Sequence, residues 1–132
     1  MQAERSDGEV IVDVVFERGL LYLVVENLGD LPARGVRIKF AERFSGAGGT
    51  RRIDRLALFR KLEFLAPHKP IEVFLDRSDA YFARDEPTRL TAAISWRTPD
   101  GARRTSSVEH DLEIYRDLAY VEREVRGRAR PT

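Results

Sequence analysis

The sequence predicts an all-β protein in which two antiparallel sheets pack face to face. Three observations carry that expectation. Apolar residues recur at every second position in run after run, Gly, Pro, Asn and Asp fall between the runs, and helical spacing is confined to the end of the chain. At 132 residues the chain has the size of one domain and enough material for a two-layer core.

The first strand starts at Glu9, where Val10, Val12, Val14 and Phe16 alternate with outward positions. Arg18 and Gly19 break the run, and "LLYLVVEN" follows as a nearly continuous apolar block, as in a central strand covered on both sides. The cluster Asn27 to Pro32 then raises the question of whether it grips a ligand or turns a corner. Gly29 supplies permissive backbone angles, Asn27 and Asp30 bond nearby amides, and Pro32 fixes its own φ. A phosphate cradle opens a helix, whereas this cluster opens a strand, so the corner is the expectation. In that strand Val36, Ile38 and Phe40 face a core while Arg37 and Lys39 face water.

The segment Glu42 to Phe59 is an irregular insertion whose "SGAGGT" reads as a mobile surface loop. The first half of "IDRLALFRKL" suits a helix as well as a strand. Two short strands flank the "PHKP" turn, with Leu62 and Phe64 before it and Ile71, Val73 and Leu75 after it. "RSDAYFARDEP" is a longer connection with one helical turn capped by Ser78 or Asp79. A long hairpin closes the domain, Leu90, Ala92, Ile94 and Trp96 answering Val108, His110, Leu112 and Ile114 across the "PDG" turn. About seven strands with little helix make an immunoglobulin-like antiparallel β-sandwich. A short C-terminal helix follows, where Leu118, Val121 and Val125 recur at helical spacing before Gly127. The chain divides into a flexible N-terminus (1–8), the sandwich (9–115), and an amphipathic helix with a disordered basic tail (116–132).

Composition narrows the chemistry. Without cysteine there is no disulfide, thiolate metal site or cysteine nucleophile. The two histidines lie far apart in sequence, against a zinc or non-haem iron centre. His110 stands between Glu109 and Asp111, but neighbours on a strand face opposite ways, so a partly buried structural histidine is expected. His68 reads as a solvated turn residue. Asp76, Asp79, Asp85 and Glu86 are oxygen-rich, yet Arg77 and Arg84 sit among them without a calcium-loop pattern, so a solvated loop is expected. No catalytic constellation, metal or cofactor is expected, and the protein is read as a non-enzyme.

The 23 basic and 22 acidic residues leave a net charge of +1, so no overall field draws the chain toward nucleic acid or acidic lipid. The start "MQAERSDGEV" carries charges where a signal peptide needs its apolar run, and no segment reaches the roughly 18 apolar residues of a membrane span. A soluble cytoplasmic protein without membrane insertion is expected, with room for a membrane-bound partner.

The stretches "YLVVENLGDLPARGVRIKF", "LEFLAPHKPIEVFLD" and "TRLTAAISWRTPDGARRTSSVEHDLEIY" resemble small bacterial immunoglobulin-like modules of the broad CARDB-like kind. The residues that carry the likeness are Asn27 and Gly29, Pro67 before Ile71, and Ile94, Trp96, Asp100 and Gly101, within roughly Val14 to Tyr115. The resemblance implies a non-catalytic module used for protein contacts or as a spacer.

Two candidate contact sets remain. Leu118, Val121 and Val125 present an apolar helical stripe too short to be stable alone, which therefore needs a surface on this domain, a protein partner or a second copy in a homodimer. Arg51, Arg52 and Arg55, in a basic set with Arg43, Arg60 and Lys61, would steer acidic groups. The function expected is a protein-interaction or scaffolding module with capacity for self-association. The alternative is a nucleic-acid-binding accessory domain using the Arg-rich loop and tail.

Overall fold

The structure, a computed structural model, describes residues 9–118. Its long strands are β1 (Val10–Glu17), β2 (Leu20–Asn27), β3 (Ala33–Phe40), β6 (Leu62–Leu65), β7 (Pro70–Arg77), β8 (Arg89–Arg97) and β9 (Arg103–Asp111). The two-residue strands β4 (Ser45–Gly46) and β5 (Arg51–Arg52) pair with each other inside the insertion. One sheet has the order β1-β2-β7 and the other β6-β3-β8-β9, every pairing antiparallel. The chain is an all-β sandwich.

Alternation builds the core. Val10, Val12 and Val14, then Leu21, Leu23 and Val25, meet Val36, Ile38, Leu90, Ala92, Ile94 and Trp96 from the other sheet. The β1-β2 hairpin closes through Arg18 and Gly19, both at positive φ (52° and 77°), as a two-residue turn between right-twisted strands requires. The Asn27 cluster is a corner. Asn27 is fully buried; its Nδ2 donates to the carbonyls of Leu31 (2.9 Å) and Leu65 (3.2 Å), and its Oδ1 accepts from the Gly29 amide (2.9 Å). That side chain spends its hydrogen bonds pinning the crossing between sheets.

The insertion departs from the sequence expectation. It is not a loose surface loop, because Phe44, Ile53 and Phe59 are buried in the main core. Helical turns occupy Ile53–Arg55 and α1 (Ala57–Lys61), and the rings of Phe44 and Phe59 stand edge-on to Phe40 at 5.0 and 5.1 Å. Gly46 approaches β7 so closely that a Cβ there would lie 1.9 Å from the Leu75 carbonyl oxygen. Its glycine serves close approach rather than flexibility.

The acidic connection also differs from the expected solvated loop. Asp76 is 2% exposed, its Oδ2 lies 2.7 Å from Arg84 Nη2, and its Oδ1 accepts from the amides of Gly48 (3.1 Å) and Arg77 (2.8 Å). Arg84 also reaches Glu86 (3.3 Å) and the Ser45 carbonyl (3.2 Å), while Glu86 accepts from the Ser45 amide (3.0 Å). These groups clamp the insertion onto β7 and α2 (Ser78–Ala83). Asp79 and Asp85 remain exposed. The helix has no side-chain cap, because the Asp79 carboxylate is taken by Arg77 (2.9 and 3.1 Å) instead.

The strands flanking "PHKP" belong to different sheets, and Phe64 faces outward at 48% exposure while Leu65 is buried. The last hairpin ends at Asp111, whose carboxylate accepts the Glu113 amide (3.0 Å) and turns the chain before Ile114. A helical segment then begins over 114–118. Tyr115 stacks on Phe16 with ring centroids 5.8 Å apart, and Arg116 lies 4.5 Å above the Phe82 ring. The start of the tail therefore docks on its own sandwich. Three side chains reach the outer edge of β1: Ser106 Oγ, His110 Nε2 and Tyr115 Oη donate to the carbonyls of Val10 (3.1 Å), Val12 (2.7 Å) and Val14 (3.2 Å).

Candidate functional site

The structure separates the residues that the sequence grouped. Arg52 grips Asp54 with both arms of its guanidinium, Nε at 2.9 Å and Nη2 at 2.8 Å. That hydrogen bond holds the Asp54 carboxyl below its ordinary range; burial pushes it the other way, and the Phe44 amide (3.2 Å) adds to the lowering. Arg52 is thus committed inside the loop, while Arg51 and Arg55 are exposed. Leu118 is 50% exposed, and Val121 and Val125 lie outside the described residues. His110 is the partly buried structural residue expected. His68 sits in its turn at φ 58°, 63% exposed, with Nε2 2.8 Å from Asp30 of the Asn27 corner.

A different group of cations converges. On the outer face of the four-stranded sheet, Arg34 lies opposite Arg97, Arg97 opposite Arg103, and Phe64 on the far side of Arg34. One row across all four strands thus reads Phe64, Arg34, Arg97, Arg103. The next outward rows pair Arg37 with Ser95 and Thr105, then Lys39 with Ala93 and Ser107. Strands about 4.8 Å apart set Arg34, Arg97 and Arg103 in one row roughly 10 Å across.

The row is positioned by a β-bulge. The β3 register shifts between Arg34 and Arg37, where Gly35 takes φ 56°, and a Cβ there would sit 3.2 Å from Arg97 Nη2. Glycine at that point lets the Arg97 guanidinium lie across β3. A recess of about 120 Å³ is lined by Gly35, Arg37, Ser95, Arg97 and Arg103, beside a trough of about 620 Å³. Ala93, Ser95 and Thr105 lie along that trough with Arg37, Lys39, Arg60 and Arg103 around it.

Like charges directly opposite on neighbouring strands repel, so the Arg34–Arg97–Arg103 row works against the sheet that carries it. Arg37 reaches Glu63 at 3.3 Å, an exposed pair, and Arg34 lies 5.1 Å from the Phe64 ring centroid. Among the described residues Lys39, Arg97 and Arg103 have no acidic partner. At the basic end Glu63 pairs with Arg37 and Asp54 lines the trough, while Glu109 and Asp111 sit at the far end with Arg89. The face is therefore graded, basic at one end. Guanidinium forks donate paired hydrogen bonds to a carboxylate or phosphate, and that is the chemistry this end offers.

Residues 1–116 match a family described as a domain of unknown function, DUF8453. The chain belongs to the DUF8453 family. No curated protein and no solved structure matches it. In this DUF8453 chain no helix among the described residues is long and apolar enough to cross a membrane.

The basic face escaped the sequence reading for a definable reason. Arg37 and Lys39 read as the wet side of one strand, and Arg97 and Arg103 fall in two other strands whose neighbours the sequence does not name. Only the order β3-β8-β9 sets them side by side.

Proposed function

We propose that this chain is a non-catalytic protein-interaction or scaffolding module of immunoglobulin-like kind that receives an acidic partner on the basic end of its four-stranded sheet. The strand order supports the kinship, since the chain passes between the sheets three times around one shared core. The observation that carries the function is the cross-strand row Arg34, Arg97, Arg103. A fold keeps local repulsion where function uses it, and an incoming carboxylate removes it. The exposed side chains of Ile114 and Leu118 offer a second, apolar contact beside the sandwich.

The test is titration of fluorescent poly-glutamate with the full chain and its Arg97→Ala and Arg103→Ala variants at low and physiological salt. Binding that weakens about tenfold in each variant and again with salt supports the reading. Equal binding by all three proteins removes it. A second reading, nucleic-acid binding, is favoured by the exposed Phe64 ring beside Arg34, a surface for a stacked base. Single-stranded oligothymidine that outcompetes poly-glutamate would put that reading first.

A further inference from the structure

We propose that the acidic partner is the opposite face of a second copy of this chain, so that copies stack head to tail. This rests on the reading of the basic end as an acceptor for acids, and it names the donor.

The donor face is the outer side of β1-β2-β7. Positions alternating with the core set Asp13 and Glu17 on β1, Glu26 on β2 and Glu72 on β7 toward solvent. Among the described residues none of the four has a cationic partner. Between them stand Val15 and Val24 with Tyr22 and Phe74, two rings 5.9 Å apart in an edge-to-face pair, Phe74 being 43% exposed. This face is an aromatic ridge bordered by carboxylates. The opposite face carries a largely apolar trough in which Ala93, Ser95 and Thr105 lie between Arg37, Lys39, Arg60 and Arg103, with Asp54, Phe40 and Phe59 also in its lining. Ridge fits trough, and acids meet the arginine row whose repulsion they relieve.

The geometry also decides the symmetry. The two faces lie on opposite sides of one sandwich, and the donor face's carboxylates answer Lys39, Arg97 and Arg103, whereas the acids of the acceptor face's far end, Glu109 and Asp111, are already engaged by Arg89. Donor face on acceptor face is a heterologous contact, which leaves one free face at each end and allows a chain of copies to grow. Strands of 8 residues in a three-stranded sheet cover about 27 by 14 Å, or roughly 400 Å² a side. Such a contact stands at the low end of specific interfaces, so the association is weak and salt-sensitive.

Sedimentation velocity over a concentration series, at about 0.05 and about 0.5 M NaCl, reads this directly. The wild type is expected to sediment faster as concentration rises, with association at least about tenfold weaker at high salt. The pair Glu26→Lys and Glu72→Lys, and separately the pair Arg97→Glu and Arg103→Glu, should each leave a monomer. An equimolar mixture of the two variants should associate again, because each keeps the native face the other needs. Glu72→Gln and Arg103→Gln, each expected to weaken association about threefold, repeat the test without charge reversal, and circular dichroism checks the fold.

A wild type that stays monomeric at low salt overturns the stacking. So does association indifferent to both variant pairs, or a mixture that stays monomeric. Poly-glutamate bound by a chain that does not self-associate overturns only the stacking and leaves the acid-acceptor reading standing. Loss of both overturns both.

Discussion

Replacing Arg84 by Met tests the clamp that folds the insertion onto the sandwich. Arg84 is the sole described cation within ion-pair distance of Asp76, a carboxylate whose side chain is 3% exposed. Breaking a buried pair by deleting one partner costs about 3 to 5 kcal/mol, because the remaining charge stays desolvated. The amides of Gly48 and Arg77 still donate to Asp76, so the lower end applies, about 3 kcal/mol. For a domain of this size that corresponds to a fall of about 10 °C in Tm. The internal control is Arg77→Met. Its partner Asp79 lies on the same connection, but that pair is 65% and 43% exposed, so its loss should leave the urea midpoint nearly unchanged. Urea unfolding followed by Trp96 fluorescence measures both. Equal losses for the two variants would refute the argument that burial, rather than pairing itself, makes the Arg84 contact matter.

Two further outcomes follow from the same region. Phe44→Ala should destabilise by about 3 to 5 kcal/mol in the same urea assay, the cost of emptying a core site, whereas a side chain on a free loop would change stability by under about 0.5 kcal/mol. Asp54, whose folded carboxyl is held low first by Arg52, adds stability that is present above its unfolded value of about 4 and is lost as pH falls through the folded value. Wild type and Asp54→Asn should therefore differ most at neutral pH and converge as the solution is acidified below about pH 4; parallel curves would refute the assignment.

The strands were legible because alternation is a local signal. Val10 to Val14, Leu90 to Trp96 and the Arg18–Gly19 turn declare themselves within a few residues. The Asn27 corner was legible for the same reason, since Asn, Gly and Pro at those spacings bond their own neighbourhood. The insertion was not. Its glycines signal backbone freedom in the unfolded chain, but Gly46 is used for a contact with Leu75, 29 positions away, and Phe44, Ile53 and Phe59 follow no period. The Asp76–Arg84–Glu86 clamp looked like solvated charge because its other anchors, Ser45 and Gly48, come from a segment with no readable direction. Charge on a strand tells which side is wet; which strands lie beside it is a property of the whole chain.

The three bonds to the β1 carbonyls bear on how this molecule avoids unwanted growth. An edge strand with bare carbonyls is a template for any extended segment, its own or a neighbour's. Here Val10, Val12 and Val14 are already occupied, by a hydroxyl, an imidazole and a phenol rather than by another backbone. An intruding strand would have to displace all three to begin pairing, so sheet extension at β1 is opposed by side-chain bonds. Protection of this edge is thus divided among three side chains from β9 and the segment after it, so loss of one would uncover a single carbonyl and leave the other two covered.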